Sequence, residues 1–241
     1  MLELNQFHHS PFCLKVRMVL DAKALSYKII EITPGIGQLA IFQKSGQKQV
    51  PVLVDGENIL SDSSKIIRYL EQNYTEKSVI PKNSRDSALA NIIENWADTT
   101  FARNTKKTLI KAAANDQDLR DSLLPENISK SMKSLINLLP VKEVINNVSE
   151  VTNDNESSDL MSSLEELVEI IQIHEYLIGD SLSIADIAVA AQLSLLRFPQ
   201  SSGTKLAGRG CPGFSDNPKL ISLFKWRDEL ERRIMRRKID N

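Results

Sequence analysis

The chain has 241 residues, 41% of them hydrophobic and 25% charged, and thirty basic against thirty-one acidic side chains leave a net charge of -1. That balance lacks the basic excess of a nucleic-acid-binding protein, and the length allows one large core or two modest ones. The first residues carry neither a basic flank nor an apolar run, and the longest apolar stretch, 184–196, is too short and too interrupted to span a bilayer. Two cysteines, Cys13 and Cys211, cannot build a disulfide framework, so a cytoplasmic chain with reduced thiols and neither a membrane nor a nucleic-acid partner is expected.

Residues 2–7 read as a strand, with His8 and His9 at its end. Ser10-Pro11-Phe12-Cys13 then opens a helix over 12–24, with a Ser cap, a Pro at the first helical position and Val16, Val19 and Leu20 along one side. A small polar or thiol residue at such a turn faces the exposed N–H groups of the helix start, where a thiolate is stabilised. Residues 27–32 form a second strand, closed by Thr33-Pro34-Gly35, and a short helix is predicted near 38–42. Asp55-Gly56 joins two short strands, 52–54 and 58–60, as a hairpin, and a helix follows over 63–74. The order is that of a small α/β sandwich.

Beyond Pro81 the period becomes helical throughout. Ser84 caps a long helix running to about residue 114, with Leu89, Ile92, Ile93, Trp96 and Ala97 at helical spacing. Further helices are predicted over 128–139 and 160–177, the latter stopped by Gly179, and Asn217-Pro218 opens the last one. Residues 146–159 have almost nothing to bury and read as a mobile acidic loop. Ser183-Ile184-Ala185-Asp186 is a capping box before a helix that is apolar on nearly all sides, hence a buried centre for the second half. The basic run from Arg232 to Lys238 complements the dipole of a helix C-terminus. No metal-ligand spacing joins His8, His9 or His174 to the cysteines.

Ser10-Pro11-Phe12-Cys13, Gln49-Val50-Pro51 and Asp62-Ser63 occur in the order and spacing of the glutathione transferases, and Gly179-Asp180 followed by the capping box resembles that family's helical folding motif. The chain resembles a glutathione transferase over essentially its whole length. The resemblance implies an α/β thioredoxin-like domain over 1–76, which binds glutathione, followed by an all-α helical bundle domain over 84–241. In the family the Val-Pro bond is cis and the preceding backbone pairs with the cysteinyl unit of glutathione, which implies that part for Val50 and Pro51. Gln49 matches a residue that reaches the glycyl end, and Asp62-Ser63 matches the acid-Ser pair that grips the γ-glutamyl group. A carboxylate there faces the ligand's ammonium, while Ser63, as helix cap, sits beside its carboxylate.

The first turn also resembles the Cys-Pro-x-Cys of glutaredoxins and the Cys-Pro-Phe of omega-class transferases, with Ser10 in the reactive place. A hydroxyl forms no mixed disulfide, but it can donate to a bound thiolate and lower a thiol pKa from its usual value of about 8.5. Ser10 is therefore the expected catalytic residue of a transferase that joins the glutathione thiolate to an electrophilic or hydrophobic small molecule, with no metal. Cys13 reads as a small buried apolar residue, with a redox role as the alternative. Trp96, Phe101 and Arg103 are the expected lining of a second-substrate pocket. A homodimer is implied, paired through the outer faces of helices 63–74 and 84–114. Two other classes remain open: a glutathione-dependent thiol reductase or peroxidase, and a non-catalytic interaction module that uses residues 121–159.

Overall fold

A computed structural model describes residues 1–32, 49–124 and 154–239. The helices predicted near 38–42 and 128–139 lie outside the described residues, as does the first part of the predicted acidic loop. Four strands, β1 Leu2–Gln6, β2 Tyr27–Glu31, β3 Val52–Asp55 and β4 Asn58–Ser61, form one sheet in the order β2-β1-β3-β4. Leu4 of β1 pairs with Ile29 in parallel and with Leu53 in antiparallel register, and Leu53 pairs with Leu60 across the Asp55-Gly56 hairpin. Parallel pairing of β1 with β2 requires a crossover, supplied by helix α1, Pro11–Ala22. Helix α2, Ser63–Asn73, buries Ile66, Ile67 and Leu70 against α1, β3 and β4.

The rest of the described chain is mostly helical: α3 Ser84–Trp96, α4 Ala102–Asn115, α5 Gln117–Leu123, α6 Asp154–Ile173, α7 Ile184–Leu193 and α8 Ile221–Ile239. A thioredoxin-like sheet thus precedes a mostly helical region, as the family resemblance implies. All ten residues of α7 are buried, and it packs on α1, α3 and α8. Leucines, isoleucines and valines from both halves merge into one continuous core there. Among the described residues no helix is long and apolar enough to cross a membrane.

Several boundaries differ from the sequence reading. The long helix over 84–114 is capped by Asn83, whose Oδ1 accepts from Arg85 N at 2.8 Å and Asp86 N at 3.3 Å, and not by Ser84. It is also interrupted by one π-helical turn, Ala97–Phe101, which buries Ala97 and Phe101. There Thr99 Oγ1 donates to the Asn95 carbonyl at 2.6 Å, in competition with the regular ladder. The helix predicted over 160–177 spans Asp154–Ile173 instead. Beyond its end the Leu177 N–H goes to Asp186 Oδ1 at 2.7 Å. Residues 154–159, read as part of the acidic loop, are helical, carried by the buried face of Leu160, Leu164, Leu167 and Val168. Asn217 caps a short 3-10 turn, Pro218–Leu220, before α8 begins at Ile221.

Candidate functional site

The first turn of α1, the chain before β3, the start of α2, one face of α3 and the π turn converge on a cleft of about 530 Å³. Gln49, Val50, Pro51, Asp62 and Ser63, the five residues expected to hold glutathione, all line it. The Val50–Pro51 bond is cis, as expected. Asp62 and not Ser63 is the cap of α2, its Oδ1 accepting from Lys65 N at 3.0 Å. Asp62 has φ 77°, a left-handed conformation that costs a non-glycine residue roughly 1 kcal/mol or more. The turn is thereby shaped around its exposed carboxylate, while Ser63 follows as the first helical residue and is 5% exposed. Lys65 and Arg68 add cations to the same wall.

Ser10 caps α1 at the C-terminal end of β1. Its Oγ accepts from Cys13 N at 3.4 Å, and its hydroxyl also faces the Cys13 thiol. Ser10 itself is not part of the cleft lining, but Phe12, two residues on, is. Cys13 is fully buried, and that burial pushes its thiol pKa up against the hydrogen bond from the Ser10 side. His9, beside Ser10, is held down to about 4, first by burial and then by His8 and Arg17, and its Nδ1 is buried without a partner among the described residues. The imidazole is therefore neutral near pH 7.

Behind and within the cleft wall lies a charge cluster that the sequence reading did not single out. Lys15 of α1 has a fully buried side chain, and its Nζ donates to Glu94 Oε1 at 2.6 Å, Asp98 Oδ2 at 2.5 Å and Ser64 Oγ at 3.2 Å. Its three donors are all used. Ser64 Oγ lies 2.8 Å from Glu94 Oε1 and 3.0 Å from Asp98 Oδ2, so its single proton can serve either carboxylate. Burial raises the Asp98 carboxyl, with Lys15 opposing. Asp98 Oδ1 is buried and unpartnered among the described residues.

The expected second-substrate residues do not line this cleft. Trp96 stacks on Phe101 with centroids 4.7 Å apart, Phe101 is 1% exposed, and the π turn carries Arg103 past the cleft wall. That wall is polar: Asn91, Glu94, Asn95, Asp98 and Thr99. Asn91, Asn95 and Thr99 recur every four residues, as do Glu94 and Asp98. This polar stripe beside the apolar one was the available signal.

Residues 4–78 match the family model for the glutathione S-transferase N-terminal domain. The chain is 29% identical over 112 residues to glutathione S-transferase U1 of Arabidopsis thaliana, covering 46% of this chain and 50% of that protein. It is 31% identical over 99 residues to a zeta-class glutathione S-transferase of Euphorbia esula, covering 38% and 44%. The chain thus spans about half the length of these curated relatives. A glutathione S-transferase from Rhodospirillum rubrum F11 shares the fold at a TM-score of 0.69 and 22% identity, over 100% of this chain and 93% of that one. A β-etherase from Sphingobium sp. strain SYK-6 does so at 0.69 and 20%, over 99% and 98%. Residues 4–78 are thus similar to the N-terminal domain of glutathione S-transferases, and the whole chain shares the fold of solved members of that family.

Proposed function

We propose that the chain is a cytoplasmic enzyme that binds glutathione in the cleft and transfers its thiolate to an electrophilic small molecule. The observation that carries this reading is the convergence of Gln49, Val50, Pro51, Asp62 and Ser63 on one polar cleft from two separate chain segments. Glutathione carries two carboxylates, one ammonium and two amides. The cleft offers cations on Lys65 and Arg68, carboxylates on Asp62, Glu94 and Asp98, and carboxamides on Gln49, Asn91 and Asn95. Residues 1–76 are the binding domain in this reading and 84–241 the helical one, with two copies paired about a two-fold axis.

Ser10 is the proposed catalytic residue. Its Oγ accepts from Cys13 N, and in this reading its hydroxyl proton turns from the buried Cys13 thiol to a bound thiolate. The helix start adds a favourable field for the anion. The reductase alternative is weaker because Cys13 is fully buried and its pKa is raised, whereas thiol exchange needs an accessible thiolate.

Retention on immobilised glutathione together with turnover of a generic aryl halide tests the reading. Ser63→Ala, which removes a charge-assisted hydrogen bond of about 1.5–3 kcal/mol, is expected to weaken glutathione binding roughly tenfold to a hundredfold by calorimetry. Unchanged affinity would place the ligand elsewhere, and binding without turnover of any electrophile would favour the non-catalytic alternative.

A further inference from the structure

Lys15 lies outside the cleft lining, yet its ammonium reaches three elements at once: α2 through Ser64, α3 through Glu94 and the π turn through Asp98. Ser64 directly follows Asp62 and Ser63 in the chain, and its hydroxyl meets both carboxylates from the opposite wall. The cleft runs between the start of α2 and the face of α3, so whatever ties those two elements sets its width. Among the described residues, the bonds of Ser64 to Glu94 and Asp98 are the direct side-chain hydrogen bonds joining α2 to that wall.

We propose that Lys15 and Ser64 are positioning residues for glutathione: the buried Lys15–Ser64–Glu94–Asp98 cluster fixes the Asp62-Ser63 turn against α3 and so sets the geometry of the ligand grip. The proposal rests on the glutathione-binding reading. The chemistry suits the task. A lone ammonium shared by two carboxylates holds three helical segments to one point, and a hydroxyl that both accepts and donates extends the hold to the turn. An apolar contact would leave α2 able to slide, whereas a hydrogen-bonded network has a preferred geometry. Ser64 is the informative position, because its removal leaves Lys15 paired to Glu94 and Asp98 at 2.6 and 2.5 Å.

The test is glutathione calorimetry and initial-rate kinetics on the full chain, with Ser64→Ala, Ser64→Thr and Lys15→Met. Ser64→Ala is expected to raise the Kd and the KM for glutathione about tenfold, about 1.4 kcal/mol, with kcat at saturating glutathione within about twofold. Ser64→Thr, which keeps the hydroxyl, should restore most of the affinity. Lys15→Met should lose at least as much affinity and also lower the melting temperature. If that variant does not fold, the Ala–Thr pair still decides the matter. Wild-type affinity in Ser64→Ala, or a fall in kcat with unchanged KM, overturns the positioning role while the functional reading stands. A wild-type chain that does not bind glutathione overturns both.

Discussion

At the residue scale the chemistry turns on one atom in the first turn. Ser10 stands where related turns carry a reactive cysteine, with its Oγ on the Cys13 N–H and Phe12 of the cleft lining two residues on. If the hydroxyl stabilises a thiolate, Ser10→Ala lowers the conjugation rate and leaves glutathione affinity nearly unchanged. Loss of one preorganised donor typically costs about 10²–10³ in rate, and less where backbone N–H groups share the anion. The pH–rate profile moves upward in the same variant, because the bound thiol becomes harder to ionise. Ser10→Cys differs in kind, giving a Cys-Pro-Phe-Cys turn in which Cys13 stays buried, and thiol transfer should rise at the expense of conjugation. Rates of both reactions against pH for both variants check this. Wild-type conjugation with an unshifted profile in Ser10→Ala would reduce the hydroxyl to a helix cap.

At the element scale the helical region depends on α7, whose ten buried residues leave its own ends as the places where polar groups must be satisfied. Asp186 does most of this. Its Oδ2 accepts from Ser183 N at 2.8 Å and Ser183 Oγ at 2.7 Å, and its Oδ1 from Leu177 N at 2.7 Å. Burial raises the Asp186 carboxyl, opposed by those donors. Asp186→Ala leaves three buried donors without an acceptor, a cost of about 1–3 kcal/mol each when unrelieved, so a loss of at least 3 kcal/mol is expected. Asp186→Asn keeps the shape and part of the bonding and should lose less. Urea titration of both variants measures the difference, and a near-neutral Asp186→Ala would mean that water replaces the carboxylate. This box was legible in the sequence because it is local: Ser183 and Asp186 are three residues apart. The strands, the hairpin and α1 were legible for the same reason, each written in a period or a turn dipeptide. The π turn was not, since it depends on how Phe101 and Ala97 pack. Nor was the Lys15 cluster, whose members lie 49, 79 and 83 residues away from the lysine. Lys15 on its own reads as one more solvated lysine on an amphipathic helix, and only the assembled helices reveal that it is enclosed.

At the scale of the whole molecule, the two sides of α3 carry different instructions. Asn91, Asn95 and Thr99 look into the cleft, whereas Arg85, Ala88, Leu89 and Ile92 form a neighbouring stripe open to solvent, with Ile92 64% exposed. An isoleucine so exposed beside a half-open leucine adds nothing to the stability of a single copy, but a second copy laid across α3 would cover both. The proposed two-fold pairing therefore predicts a solution mass of about twice 27.1 kDa at micromolar concentration. Ile92→Glu would place a charge in that contact without disturbing the monomer core, so it should give a single-copy mass by light scattering with a melting curve that still shows a folded chain. Because the stripe borders the cleft wall, dissociation should also weaken glutathione binding, and the effect should diminish as protein concentration rises in milder variants such as Ile92→Ala. A wild-type mass of one copy rejects the pairing. A dimer that survives Ile92→Glu moves the interface to another face and removes the coupling between partner and cleft.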